Sequence, residues 1–227
     1  KFRLLISAMK AAGSNKIKDA PKFQFNLACG DSLLHGRRFE WQGQGIQGGL
    51  LDEEKKHVYE VEDPEKLDKI LGQRYHVVVG NPPYITVKDK ALNQAYRDKY
   101  LTCHRKYSLG APFTERFFDL TMWPDGNQPA GFMGMITANS FMKREFGKKL
   151  IEDYLPRKDL THVIDTSGAY IPGHGTPTVI LFARNQLPKA EVVRSVLGIR
   201  GEPGAPVNAA FGKVWLSIVN LLPKVGS

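Results

Sequence analysis

An α/β fold, a largely parallel sheet with helices on both faces, is predicted by two features of the chain. Continuous apolar and β-branched runs, "YHVVVG" at 75–80 and "PTVILFA" at 177–183, lack the alternation of half-exposed strands and so read as strands buried on both faces. Such runs also alternate with amphipathic stretches, which is the pattern of a doubly wound sheet.

Taken in order, "FRLLISAMKAA" (2–12) carries Leu4, Leu5, Ala8, Met9 and Ala12 at helical spacing, with Gly13 as a stop. "KFQFNLACGD" reads as a strand over 22–29, broken by Gly30, with Asp31 at its carboxyl end. The glycine-rich stretch 36–49 has neither helical nor strand period and reads as a loop. A helix at about 64–71 precedes the 75–80 strand. After it come a helix over 113–123, a strand over 131–138, an amphipathic helix over 143–155, and strands over 160–166 and 177–183. Beyond Pro188 glycine and proline are frequent and period is weak. The core is therefore expected to end near 187, giving a catalytic domain over 1–187. A tail over 188–227 would then lead toward a target-recognition or helical region, with one short helix at 213–222.

The 227 residues carry 32 Lys and Arg against 23 Asp and Glu, a formal charge of +9, which favours a polyanionic partner. Two cysteines, Cys29 and Cys103, make no disulfide framework, and no Cys/His spacing suits zinc, so no metal and a reducing, cytoplasmic setting are expected. The longest apolar runs are too short to span a bilayer, so no membrane is expected either.

The chemistry is concentrated where the 75–80 strand runs into Asn81-Pro82-Pro83-Tyr84. In open parallel sheets, ligands lie beyond the carboxyl ends of strands. Two prolines fix φ, donate no hydrogen bond and stiffen the loop. The Asn81 amide oxygen and the Pro82 carbonyl oxygen then form a rigid pair of acceptors, suited to an exocyclic amine with two N–H bonds. Holding both hydrogens draws the nitrogen toward tetrahedral geometry and frees its lone pair for attack on an electrophilic methyl group. Tyr84 offers a flat surface on which a flipped base can stack.

"VVVGNPPY" resembles the catalytic motif of S-adenosylmethionine-dependent methyltransferases acting on amino groups, specifically the N6-adenine DNA enzymes in their gamma order of motifs. "LACGDSLLHG", "APFTERFFDL", "GFMGMITANSFMKREFGKKL" and "GTPTVILFAR" follow in the order of that family, over about residues 1–187. The resemblance implies a Rossmann-like sheet with an antiparallel last strand and S-adenosylmethionine as cofactor. It implies cofactor contacts at Asp31, Ser32, Asn81 and Phe113, and base stacking by Tyr84 and by Tyr170, with Ile171 as the alternative to Tyr170. More narrowly, "LACGDSLLHG" and "VRSVLGIRGEP" resemble the large adenine methyltransferases of bacteriophage-exclusion systems. That implies double-stranded DNA as substrate and other defence-system proteins as partners, in a phage-defence or restriction-modification setting.

The glycine-rich loop that should wrap the cofactor's methionine part is not found, since Gly43-Gln-Gly45 lacks a preceding strand. The chain is therefore expected to be a fragment that binds S-adenosylmethionine weakly alone. Methyl transfer to an amine requires neither a cysteine nor a metal, so Cys29 and Cys103 are expected to be core or rim thiols and His174 a loop histidine. Lys88, Lys90, Arg97, Lys99, Arg105 and Lys106, interleaved with Tyr96, Tyr100 and Tyr107, are expected to contact phosphates and stack on bases. Lys143, Arg144, Lys148 and Lys149 are expected on a helix surface. Two alternatives stand beside this: a protein glutamine methyltransferase, which uses the same Asn-Pro-Pro-Tyr chemistry on a side-chain amide, and a non-catalytic DNA-binding component of a defence complex.

Overall fold

The computed structural model describes residues 2–19, 25–39, 63–173, 175–199 and 201–222. The chain divides into two compact units, Lys1–Arg37 with Glu53–Gln73, and Arg38–Asp52 with Arg74–Ser227.

In the first unit, α1 (Phe2–Ala11) buries Met9 and ends at Gly13, whose φ of 68° is the left-handed conformation that glycine adopts without strain. Helix α2 (Pro64–Leu71) starts where Asp63 accepts a hydrogen bond from the Lys66 amide and Pro64 presets the first turn; Leu67 and Leu71 are its buried face. The strand expected over 22–29 is not formed at 25–29, which run without a ladder partner among the described residues. Residues 22–24, most of the 36–49 loop including Gly43 and Gly45, and His174 lie outside the described residues.

The second unit is built on a sheet of β1 (Val77–Gly80), β2 (Phe132–Ala138), β3 (Asp159–Asp165), β4 (Thr178–Arg184) and β5 (Arg194–Leu197), in the order β1-β2-β4-β3-β5. Neighbours β1 and β2 are parallel, as are β3 and β5, whereas β4 runs antiparallel to both β2 and β3. This is the α/β class expected, and β4 is the reversed strand, but it is not the last, because β5 follows it and runs parallel to β3. Sheet pairing does not stop at 187, where the core was expected to end. The short strand β5 pairs with β3, and α5 (Lys213–Leu221), the helix expected at 213–222, buries Val214 and Ile218 against Ile164 and Val196. Four aliphatic side chains closing on one another keep this segment in the fold despite its glycines and prolines.

The two sheet faces are covered by different helices. Register places Met133 and Met135 of β2 beside Ala183 and Leu181 of β4, and all four are buried on the face that meets α4 (Gly110–Leu120). Helix α5 covers β3 and β5 on the opposite face. Strand β1 is not buried on both faces as its β-branched run suggested: Val77 and Val79 are 57% and 70% exposed. Phe132 and Phe182, on the same face, are also exposed, because α5 reaches only the far side of the sheet.

The amphipathic helix expected over 143–155 is instead a run of tight turns, 3-10 at 139–142, 145–147 and 155–157, with a π turn over 149–154. Gly147 permits a close approach within this segment. A Cβ built there would lie 1.8 Å from the carbonyl oxygen of Phe141, so the backbone folds onto itself more closely than a regular helix allows.

Candidate active site

Strand β1 delivers Asn81 to the carboxyl end of the sheet. Asn81 is exposed, Pro82 buried, Pro83 exposed and Tyr84 half-buried, so the loop is anchored through one proline with the carboxamide directed away from packed interior. Burial raises the Tyr84 phenol above its ordinary range and keeps it neutral. The far side of the loop is tied down by the Leu109 amide, which donates to Ile85 O at 2.9 Å, and by the Asn93 side-chain amide, which donates to Val87 O at 3.3 Å.

Helix α4 backs this loop. Its first residue, Gly110, packs against Thr137 near the end of β2, and Thr121, just past its end, bridges Tyr75 before β1 begins, so the helix runs opposite to the strands. Phe117 lies under Gly80, where an added Cβ would come within 2.7 Å of the tip of its ring and push it aside. Phe113, one turn nearer the Asn81 end, meets Phe117 edge-on at 6.1 Å. The expected cofactor contact Phe113 and the Asn81 loop thus share one end of one unit.

Tyr170 and Ile171 both line an apolar cavity of about 360 Å³, with Ile136, Thr166, Ile180 and Trp215. In register, Gly80 lies opposite Met135, and Ile136 is the next residue of β2. The aromatic ring and its alternative therefore belong to the same hollow at the same end of the sheet as Asn81.

Asp31 and Ser32 lie in the other unit. Asp31 Oδ1 accepts hydrogen bonds from the Leu33 and Leu34 amides at 2.8 and 3.3 Å, and its carbonyl oxygen accepts from His35 at 3.0 Å. Its carboxylate therefore fixes the turn that follows it.

The basic segment divides in two. Lys88, Lys90, Lys99 and Lys106 are exposed. Arg97, in α3 (Lys90–Lys99), instead braces the fold: it donates to Asn93 Oδ1 and Cys103 O, both at 2.8 Å, and to Arg105 O, with its guanidinium over the Tyr107 ring. Arg105 pairs with Glu145 at 2.8 Å. The stacking expected of Tyr96, Tyr100 and Tyr107 is corrected: all three are buried, because they form the face of this segment that packs inward. Of the expected surface helix, Lys143, Arg144 and Lys148 are exposed.

Sequence reasoning missed a buried charged network. Glu115, Arg116 and Asp119 of α4 are almost fully buried. Arg38 reaches Asp119 at 3.0 Å and Glu115 at 2.8 Å, Arg116 reaches Asp119 at 2.8 Å, and the Thr102 amide donates to Glu115 Oε2 at 3.1 Å. Three charges within five residues of a predicted helix, interleaved with phenylalanines so that no face is left wholly polar, were the available signal.

Comparison with known proteins adds the decisive observation. The family described as Eco57I restriction-modification methylase matches residues 1–171. The chain belongs to the Eco57I restriction-modification methylase family. This member is 49% identical over 235 residues to the adenine-specific methyltransferase PglX of Streptomyces coelicolor, matching all of this chain and 19% of that protein. It is 27% identical over 95 residues to the type II methyltransferase M.BstVI of Geobacillus stearothermophilus, covering 40% of this chain and 16% of the other. The family member thus spans about a fifth of the length of the curated relatives it matches. Among solved structures, a modification subunit of a putative type I restriction enzyme from Vibrio vulnificus aligns with a TM-score of 0.43 at 15% identity, over 51% of this chain and 24% of that one. A putative class I S-adenosylmethionine-dependent methyltransferase from Listeria monocytogenes aligns with a TM-score of 0.41 at 14% identity, over 60% and 39%.

Proposed function

We propose that this chain carries the methyl-acceptor half of an adenine-specific DNA methyltransferase, which transfers a methyl group to the exocyclic N6 amine of a flipped adenine in double-stranded DNA. The observation that carries the proposal is an exposed Asn81 on a buried Pro82 at the carboxyl end of β1. Within a family of restriction-modification methylases, that end of the sheet is where a base must be presented.

Asn81 Oδ1 and the Pro82 carbonyl oxygen accept the two amine hydrogens. Their positions are fixed before the base arrives, so the hydrogen bonds strengthen as positive charge develops on nitrogen. Tyr84 and Tyr170 hold the base between aromatic surfaces, Tyr170 from the rim of the apolar cavity. Once N6 has gained its methyl group it carries a positive charge, and loss of one of its two protons to solvent restores the neutral amine.

When bound, S-adenosylmethionine supplies an electrophilic methyl group on sulfur and leaves as S-adenosylhomocysteine. The side chains assigned to it have suitable chemistry. Asp31 offers a carboxylate held by its own turn, Ser32 a hydroxyl, and Phe113 a half-buried ring beside Phe117. Exposed Lys88, Lys90, Lys99 and Lys106 meet backbone phosphates, and the complete protein works with other proteins of a phage-defence system.

Asn81→Ala in the complete protein is expected to lower adenine methylation about a hundredfold or more, the scale for losing one preorganised polar group, while salt-dependent DNA binding persists. Methylation at the parental rate, or methylation of a glutamine peptide in place of duplex DNA, overturns the proposal.

A further inference from the structure

A second polar cavity, of about 400 Å³, is built at the opposite end of the sheet from Asn81. Its walls come from the places where strands begin or β4 ends. Arg74 precedes β1, Arg157 and Lys158 precede β3, Leu187 follows β4, and Trp123 follows α4. We propose that this cavity is a mononucleotide site, in which Arg74 and Arg157 bind the phosphate and Trp123 stacks on the base.

Charge is the first argument. Arg38, Arg74, Arg157 and Lys158 all line the cavity, against a single carboxylate, Glu115. That carboxylate is already engaged, accepting from Arg38 on one oxygen and from the Thr102 amide on the other. Arg38 is balanced by Glu115 and by Asp119 behind it, so the positive surplus of the lining comes from Arg74, Arg157 and Lys158. Lys158 holds its ammonium nitrogen in the wall, 2.9 Å from Asn185 Oδ1 and 5.1 to 5.4 Å from the rings of Phe118, Trp123 and Tyr154. Asn185 is itself fixed by donating to Phe118 O and Thr121 O at 2.9 and 2.7 Å, so this cation is positioned by the fold.

The second argument is an orphaned donor. Arg74 Nε is buried and has no hydrogen-bond partner, while the guanidinium lies 4.8 Å over the Phe39 ring, which sets its plane. A buried N–H of a cation without an acceptor is unfavourable, and a phosphate oxygen satisfies it. Arg157 is exposed beside it.

Shape selects among anions. The volume lies in the range of small-molecule and cofactor sites and exceeds what inorganic phosphate fills. Trp123 is 37% exposed, which leaves part of its indole surface available to a flat ring.

The test is calorimetric titration of AMP into the complete protein at low salt with saturating S-adenosylmethionine present, so that the methyl-donor site is filled. AMP is expected to bind with a dissociation constant below ~1 mM, and inorganic phosphate and adenosine at least about tenfold more weakly. Arg74→Gln and Arg157→Gln are each expected to weaken AMP about tenfold, and Asn81→Ala to leave it unchanged. Arg157 is exposed, so its variant reports on the site even if Arg74→Gln fails to fold. No AMP heat at millimolar concentration, phosphate binding as tightly as AMP, loss of binding with S-adenosylmethionine or Asn81→Ala, or parental affinity in Arg157→Gln each overturns the site.

Discussion

Individual side chains in the second unit divide sharply between charges that hold the fold and groups left free for chemistry. Asp119 accepts from Arg38, from Arg116 and from the Phe39 amide and is fully buried. Removing one member of such a set leaves uncompensated buried charge, which costs about 3–5 kcal/mol. Asp119→Ala is accordingly expected to lower the unfolding free energy measured in urea by that amount, whereas Glu145→Ala, which breaks the exposed pair with Arg105, is expected to change it by less than ~1 kcal/mol. The two thiols divide in the same way. Cys103 is buried and burial pushes its pKa up to about 12, while Cys29 is exposed. A thiolate-selective alkylating reagent at pH 8 is expected to modify Cys29 alone in the native protein and both residues in urea, read by mass spectrometry; modification of native Cys103 contradicts this packing.

Among the elements, the segment after β2 is the one whose conformation depends most on a single residue. Gly147→Ala puts a methyl group onto the Phe141 backbone, and a backbone carbonyl has little freedom to move aside. A loss of ~1–3 kcal/mol or more in thermal or urea unfolding is expected, against a change within ~0.5 kcal/mol for Gly175→Ala, where an added Cβ meets nothing within 4 Å. Helices α2, α4 and α5 and strands β2, β3 and β4 lie within a few residues of where hydrophobic period put them, because burial on at least one face fixed their period. The 143–155 segment has equally clear helical period, yet a close approach of two backbones, visible only in three dimensions, breaks it into turns. The same reasoning explains Tyr96, Tyr100 and Tyr107. Interleaved with lysines and arginines they look like a stacking surface, but they point toward the core from one side of α3 and the loop after it.

Across the molecule, several buried acids share a dependence on pH. Burial raises the phenols of Tyr100 and Tyr107 as well as the Cys103 thiol above their ordinary values of 10.0 and 9.0. Each stays protonated when folded at a pH where the unfolded chain has lost the proton, so the unfolded state binds fewer protons and stability falls as pH rises. The contribution is complete below about pH 9 and is expected to be lost progressively toward pH 12. Unfolding by urea at pH 7, 9, 10 and 11 checks this; a midpoint constant from pH 9 to 11 contradicts the burial of these three groups.

The sheet end at which catalysis is proposed was located before any coordinates, as the segment that follows an apolar strand. Asn81-Pro82-Pro83-Tyr84 after an apolar strand is a local pattern, and proline stereochemistry and the direction of a parallel strand act over a few residues. The helix at 213–222 and the positive charge were legible for the same reason, since composition and period are properties of contiguous chain, whereas the reversed strand was implied only by the family resemblance, because period carries no strand direction. What required the folded chain is everything made by residues distant in sequence. Arg38 meets Asp119 across 81 positions, and Arg74, Trp123, Arg157 and Leu187 converge on one cavity. Strand β5 joins the sheet after a stretch that looks structureless, and β1 keeps one apolar face open to solvent. Long-range pairing depends on which surfaces remain after the local elements have formed, and no spacing along a single chain encodes that remainder.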